Sequence, residues 1–419
     1  MSESTFEVSV SPIPLSCLTL FPATKAQVIE SRKRSFASWG RGATLEQYLA
    51  RDARSDNHEV SKDGRLVTWV LARRDNAKGL NFLCSCETFK RDGLAVIPTS
   101  STHAKLVTGY GIASVFTPPQ IRKKGYAAHM MRLLHWVLAP RSTLPERFPE
   151  QLWGEMPSRA LWEKADAEQV PQGHGDNAVF SVLYSDIGGK FYANCSPTPS
   201  EVGLDKQGWV AREPISTEWA VDGLVALLNS REVGVDSTAS WEWLDEKSAY
   251  EIWKVDAEKM KDEMEGFARS TRNSDQALFT FLPDKGVAEF QVDRLRHFWG
   301  KVEPLPIYWG VYRRDGEAVG LDPSTFATWT LDVRPGQAND LIITRVRARP
   351  GKFEALMKEV VGFAKRHGVE KIEVWGLGEE LRNIIGGRTW NRDEHLSSFK
   401  WYGKEKDVNW CFNEKFCWC

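Results

Sequence analysis

Val115-Phe-Thr-Pro-Pro-Gln-Ile-Arg-Lys-Lys-Gly-Tyr-Ala-Ala-His-Met-Met131 changes character three times. It opens as a β-branched and aromatic strand, which Pro118 and Pro119 end because neither can donate to a ladder. Arg122, Lys123 and Lys124 then precede Gly125. From Ala127 the apolar residues recur at 127, 130, 131, 134, 137 and 138, a helical spacing that stops before Pro140. A helix N-terminus has unsatisfied N–H groups and a partial positive charge, so phosphate binds there readily. Gly125 permits close backbone approach, Ala127 leaves room beside a ligand, and the cations cover the site. The plainer alternative is a helix start with solvated cations. Strand, breaker, cation-flanked glycine and helix occur together, and this favours an anion site.

The chain of 419 residues exceeds the usual size of a single core, so two domains are expected. A composition of 42% hydrophobic and 26% charged residues is that of an ordinary globular protein. With 55 basic and 56 acidic residues the net charge is -1. No global field recruits nucleic acid or an anionic membrane, and any anion site must be local. That favours a small phosphorylated ligand over a polymer. The N-terminal MSESTFEVSVSPIPLSCLTLF lacks a basic region followed by an apolar core, and no apolar run approaches the ~20 residues that span a bilayer. The seven cysteines are irregularly placed. Cys84 and Cys86 sit at strand spacing, while Cys411, Cys417 and Cys419 crowd the end without a histidine nearby. Reduced thiols in a cytoplasmic protein are expected, and no metal site.

Along the chain, residues 24–39 and 44–54 read as helices, the second opened by Thr44 with Gln47 at the capping-box position. Arg65–Arg73 and Asn81–Lys90 read as a hairpin, and Lys105–Thr117 as a longer strand. The segment 139–177 is proline-rich and long for a connection, which suggests a lid or a substrate-binding insertion. Val179–Tyr184 is another strand, and a short helix is expected between Asp186 and Asn194. Ser196-Pro-Thr-Pro199 reads as a linker. Beyond it, Thr238–Phe267 is expected to be mostly helical and to carry Trp241, Trp243 and Trp253. Strands come next at Pro306–Arg314, Phe326–Val333 and Asp340–Arg347. A helix with apolar residues at 353, 356, 357, 360, 361 and 364 precedes a strand at Lys371–Trp375. Both halves run in the same order: hairpin strands, a long strand, an amphipathic helix, a strand. A mixed sheet with helices on its faces fits each half.

Arg122-x-x-Gly125-x-Ala127 resembles the [RQ]-x-x-G-x-[GA] acyl-CoA motif of the GNAT superfamily of N-acyltransferases. Arg313-Arg-Asp-Gly316-Glu-Ala318 also matches, but no helix is expected after it, and the match reads as chance. The resemblance implies that the strand before the motif splays from its neighbour. The backbone of Val115, Phe116 and Thr117 would then hold the pantetheine arm of acetyl-CoA. The N–H groups of Lys123, Lys124, Gly125, Tyr126 and Ala127, with the Arg122 side chain, would hold its pyrophosphate. Ser185-Asp-Ile-Gly188-Gly-Lys-Phe-Tyr192 is similar to the superfamily segment N-x-x-A-x-x-x-Y, with Ser185 in place of the Asn and Gly188 of the Ala. SVFTPPQIRKKGYA, SVLYSDIGGKFYA and the two-part layout resemble the fungal lysine N-acetyltransferases, which acetylate the side-chain amine of free lysine. The fold implied by the resemblance is an α/β (α+β) protein of two GNAT-like lobes. Each lobe is a mixed, mostly antiparallel twisted sheet flanked by helices. Residues 1–200 form the catalytic lobe and 209–419 a degenerate C-terminal lobe that closes the acceptor site.

Acetyl transfer to an amine needs a base, since a lysine amine has a reference pKa of ~10.4. It also needs donors for the developing oxyanion, a proton for the thiolate, and near-attack geometry. The resemblance assigns the oxyanion to backbone N–H groups near Val115–Thr117 and the thiolate to Tyr192 as acid. A Tyr192 merely packed beneath the cofactor is the alternative. Glu87, a carboxylate among apolar strand neighbours, is a candidate base, against an outward-facing strand residue. His103, His174 and Asp176 read as surface groups. The aromatic ending Asn409–Cys419 suggests a docked tail, since free ends fray. Protein N-myristoyltransferases, which share the two-lobed layout, use their terminal carboxylate as base, so the Cys419 carboxylate is a further candidate. In the second half Pro350 removes an N–H where a pyrophosphate loop would need it, so that lobe is expected to bind no CoA. The expected partner is a small-molecule amine, recognised by carboxylates for its ammonium and an Arg for its carboxylate. A peptide or protein N-acyltransferase and a non-catalytic CoA-binding regulator are the alternatives.

Overall fold

The computed structural model describes residues 12–98, 102–199, 208–212, 215–231, 239–270, 276–296, 304–315, 323–333 and 338–418. Its strands in chain order are β1 (Leu18–Pro22), β2 (Leu66–Arg73), β3 (Cys84–Val96), β4 (Lys105–Phe116), β5 (Phe180–Ser185), β6 (Val210–Ala211), β7 (Ile215–Ala220) and β8 (Ala239–Leu244). They continue with β9 (Ala277–Phe281), β10 (Gly310–Asp315), β11 (Phe326–Asp332), β12 (Asp340–Arg347), β13 (Lys371–Trp375), β14 (Arg388–Asn391), β15 (Leu396–Trp401) and β16 (Val408–Trp410).

These strands make two mixed sheets. The first runs β1-β2-β3-β4-β5-β15-β6, with β9 against β3 and β16 beside β9; the second runs β14-β7-β13-β12-β11-β10-β8. In each, a helix bridges a parallel pair, as the chain order implied. Tyr126–Leu138 joins β4 to β5, and Pro350–Arg366 joins β12 to β13. The first helix buries Met130, Met131, Leu133, Leu134 and Leu138 completely. At roughly 1.5–3 kcal/mol for each such side chain, that apolar face fixes the helix on the sheet. Both early helices carry the full capping box, Thr24 with Gln27 and Thr44 with Gln47.

The sheets do not divide the chain at 200–209. β15 pairs antiparallel with β5 from Leu396↔Ser185 to Trp401↔Phe180, and β9 pairs with the far part of β3 from Gly93↔Phe281. The C-terminal half therefore completes the first sheet. β3 extends to Val96, beyond the expected Lys90, because its far part has β9 as well as β4 to pair with.

Two expectations are corrected. The stretch up to Phe267 is mostly helical, as expected, but Trp241 and Trp243 lie on β8, and only Trp253 lies on the helix Glu246–Ser270. Trp241 and Trp243 alternate with Glu242 at strand period, and Asp245 then caps the helix by accepting from the Ser248 N–H at 2.8 Å. The segment 139–177 is no lid. None of its residues lines either of the two larger cavities, and Trp153, Leu161, Trp162 and Val170 are buried instead. Its aromatic and aliphatic residues pack it down. Of the second motif match, Arg313 and Arg314 lie on β10, and 316–318 are outside the described residues.

Candidate active site

β4 and β5 pair in parallel only from Gly109↔Phe180 to Ile112↔Leu183. Beyond that point β5 continues beside β15, and β4 bends away. The bend has a local cause. Glu87 of β3 faces Ala113 and Ser85 faces Phe116, so Ser114 and Val115 together oppose Cys86 in a bulge. Ser114 takes the left-handed region at φ 53°, and its hydroxyl donates to Glu87 Oε2 at 2.6 Å. The strands part around a cavity of about 520 Å³, lined on one side by 113–117 and on the other by Leu183, Tyr184 and Asp186.

The cavity reaches the N-terminus of the helix Tyr126–Leu138. Gly125 caps that helix at φ 81°, and a Cβ there would meet no protein atom within 4 Å. Arg122, Lys123, Tyr126 and Ala127 line the cavity beside it. Arg122 Nε also donates to the Thr117 carbonyl at 3.0 Å, which ties the loop to the strand end. Lys124 is not among the lining residues. Neither is Ser185, whose hydroxyl donates to the Gly188 carbonyl at 2.8 Å and accepts from the Ile187 N–H at 3.2 Å. It holds the turn that leads to Tyr192.

Tyr192 lines the cavity from the short helix Lys190–Ala193. Burial pushes its phenol above the ordinary value, and nearby Cys195, Cys86 and Asp186 add to the effect. Such a phenol keeps its proton through neutral pH and can hydrogen-bond a developing thiolate. Complete transfer to a thiolate of ordinary pKa, about 8.5, would run uphill. Glu87 stands behind the bulge rather than among the cavity's lining residues, with Arg32 Nη2 at 4.0 Å. His103 is exposed, with Nδ1 3.3 Å from Glu265 Oε2. His174 is not a surface group. It is buried between the Thr88 hydroxyl at 2.9 Å and the Gly64 carbonyl at 2.9 Å, and burial pulls it down to about 4. Asp176 accepts from the Arg141 N–H at 3.2 Å, away from the cavity.

A second cavity of about 200 Å³ adjoins the first, and Arg41, His395 and Trp418 line both. The second sheet supplies Asp332, Asp340 and Glu373 to it. Burial raises Asp340, partly offset by Lys371. Glu373 Oε1 accepts from the Ser216 hydroxyl at 2.7 Å and from Trp375 Nε1 at 2.9 Å. Opposite stand two buried basic side chains over aromatic rings. Arg392 lies 3.6 Å from the centre of the Trp375 ring, and Lys415 Nζ lies 3.8 Å from that of Trp418. Burial lowers Arg392 to about 10. It drives Lys415 far below its ordinary value, with Asp332 opposing and Arg392 and Arg41 reinforcing.

The tail reaches this cavity because it is docked along its length. Phe416 and Cys417 are fully buried, Arg91 donates to the Cys417 and Phe416 carbonyls at 2.8 and 3.1 Å, and Gln291 donates to the Trp418 carbonyl at 2.9 Å. Cys419 lies outside the described residues. In the second sheet, β12 pairs with β13 only as far as Ile343↔Val374, a parting like that of β4 and β5. There the tail intervenes: Glu414 accepts the Val346 N–H at 3.0 Å and pairs with Arg345. Neither the second cavity nor the residues shared by both were recognised in the sequence.

A family model for the LYC1 GNAT-like C-terminal domain matches residues 227–419. A lysine acetyltransferase of Yarrowia lipolytica is 22% identical over 94% of this chain and 97% of its own length. Among solved structures, a probable N-acyltransferase of unknown function from Enterococcus faecalis superposes with a TM-score of 0.50 at 8% identity, over 92% of this chain and 73% of the other. A GCN5-related N-acetyltransferase from Anabaena variabilis gives 0.49 at 11% identity, over 92% and 73%. The chain is an N-acetyltransferase of the GNAT fold, and its residues 227–419 match the LYC1 GNAT-like C-terminal domain.

Proposed function

We propose that the protein transfers the acetyl group of acetyl-CoA to the side-chain amine of a small α-amino acid, with free L-lysine as the first candidate. One observation carries this reading: a long cleft between parted strands, ending at a glycine-capped helix, joins a small cavity lined by both carboxylates and buried basic side chains. The first has the shape for a pantetheine arm and the helix terminus for its phosphates. The backbone of 115–117 would hold the arm and the N–H groups from 123 to 127 the pyrophosphate. Tyr192 would hydrogen-bond the departing sulfur.

The second cavity suits a zwitterion. An α-carboxylate finds Arg392, Lys415 and Arg41, and an α-ammonium finds Asp332, Asp340 and Glu373. Its size and its wall of second-sheet and tail residues favour a free amino acid over a peptide, whose chain would need an open groove. The Yarrowia relative's name supports the same acceptor.

A free-thiol assay with acetyl-CoA and a panel of amines tests this. Lysine should release CoA with the highest kcat/KM, and its α-amide or methyl ester should fall by roughly 100-fold, since unpaired buried cations are costly. Equal rates for lysine and a lysine-containing peptide would sink the small-molecule reading. Acetyl-CoA binding with no turnover on any amine would leave a regulatory binder.

A further inference from the structure

We propose that His395 is the general base of the acyl transfer and that Asp186 positions it, a reading that rests on the proposed function. His395 is one of the residues that line both cavities, so an amine reaching from the second into the first must pass it. Its backbone N–H donates to Asp186 Oδ1 at 2.9 Å, and its ring Nδ1 lies 3.0 Å from the same oxygen. A carboxylate oxygen accepts, so Nδ1 carries the proton in this contact and Nε2 is the basic nitrogen of the neutral ring.

The placement comes from the sheet. Leu396 starts β15 opposite Ser185 at the end of β5, which sets His395 beside Asp186. His395 holds φ 50°, an uncommon backbone region for a residue other than glycine, and strain of this kind persists where the surroundings enforce it. The ring stacks at 30° to Trp375 and meets Trp418 edge-on at 75°, each with centroids 6.1 Å apart. Asp186 is lower than an ordinary carboxyl: burial opposes this, but the His395 hydrogen bond and charge, with Arg41, outweigh it. The other charged groups lining the second cavity are Asp332, Asp340, Glu373, Arg392, Asp393, Glu394 and Lys415.

The other base candidates fit less well. Glu87 is engaged behind the bulge by Ser114. Tyr192 is held in its protonated form and suits the sulfur side. An orienting acid, an imidazole at the junction and a protonated phenol divide the proton traffic between two ends of one cleft.

Atoms and electrons balance in the step. Nε2 takes one proton from the acceptor ammonium and later gives it to solvent. The freed nitrogen lone pair forms the C–N bond to the acetyl carbon, and the C–S bond breaks with its electron pair on sulfur. The second proton lost by that nitrogen ends on the thiol of CoA. The products are the N-acetyl amino acid, CoA–SH and one proton.

The test compares His395→Gln, Asp186→Asn and a chain lacking Cys419 with the wild type, using the best amine of the panel. His395→Gln should lower kcat by roughly 100- to 10,000-fold and remove the acid limb of the kcat/KM profile. Its acetyl-CoA affinity should stay within about threefold, the pattern of a group used only in the reaction. Asp186→Asn should lower kcat by less than His395→Gln and leave the acid limb present, because the imidazole stays while the oxygen that orients it is lost. Removing Cys419 should leave the acid limb in place. Near-wild-type kcat and an intact acid limb in His395→Gln overturn the proposal, as does loss of the limb on removing Cys419 alone. Where the glutamine variant does not fold, carbethoxylation of the wild type by diethyl pyrocarbonate replaces it. Saturating CoA and acceptor should slow modification of His395 in the peptide map, and an unchanged rate overturns the assignment. A wild type inactive on every amine would instead remove the functional reading beneath it.

Discussion

Gly125→Val should weaken acetyl-CoA binding by at least about 100-fold, or roughly 2.7 kcal/mol, while Lys123→Ala should cost only a few-fold. The two changes separate backbone from side chain at the same turn. Gly125 sits at φ 81°, where a β-branched residue is strained, so valine would drag the first N–H groups of the helix out of line. Its side chain would also branch into space that no protein atom fills, beside the path the phosphates would take. Lys123 is exposed, and a solvated charge contributes about 0.2–1 kcal/mol to an ion pair. Titration calorimetry at fixed ionic strength, with melting temperature as the folding control, reads both. Comparable losses for the two variants would move the grip from the backbone to the cations.

That junction was legible because everything deciding it is local. Two prolines end a strand, a glycine takes a positive φ, and apolar spacing announces the helix. The capping boxes of Thr44 and Gln47 belong to the same class, since partners three residues apart must meet in a helix. The splay was inferred through the family resemblance, not from any residue, and its physical cause emerged only with the register. The bulge at Ser114 and Val115 depends on which residues of β3 they face.

The second cavity was illegible for the opposite reason. His395 and Asp186 are separated by 209 residues, and what joins them is β15 lying beside β5. β15 was not recognised as a strand, and a linker reading at 196–199 argued against its crossing to the first sheet. The second cavity draws residues from a loop after the first long helix, the second sheet, the approach to β15 and the tail. Each looks like a scattered surface charge until the sheets bring them together. Trp241 and Trp243 misled differently. The strong periodicity of the helix after Asp245 was extended backward over a strand whose own period was too short to assert itself.

Asp256→Ala should destabilise the protein by about 3–5 kcal/mol, the cost of breaking a buried ion pair by removing one partner. Asp256 lies fully buried on the helix Glu246–Ser270. Its Oδ2 accepts from Arg345 Nε at 2.7 Å, and its Oδ1 from Arg347 Nε at 2.7 Å. Both arginines belong to β12, and Arg345 in turn pairs with Glu414. Alanine would take the shared buried partner from two guanidinium groups at once, one of them 3% exposed, and leave Arg345 only Glu414 and Arg347 only Glu263 as acidic partners. The effect should reach the active site, because Glu414 directly precedes Lys415 and the docked turn that carries Trp418 into both cavities. On the proposed function, the KM of the best acceptor amine should therefore rise more than that of acetyl-CoA, a split that uniform loss of stability would not produce. The network also fixes an acid limit. Burial works against the charged Asp256, but Arg345 and Arg347 outweigh it and hold its pKa below the usual value. Its contribution is therefore present above the unfolded carboxyl pKa of about 3.9 and is lost as pH falls through the lower folded value. Calorimetric unfolding from neutral pH down to about pH 3 should show the wild type losing more stability in that last interval than Asp256→Ala, which keeps only the other depressed carboxyls such as Asp186. Parallel curves for the two proteins would mean that the acid lability originates elsewhere.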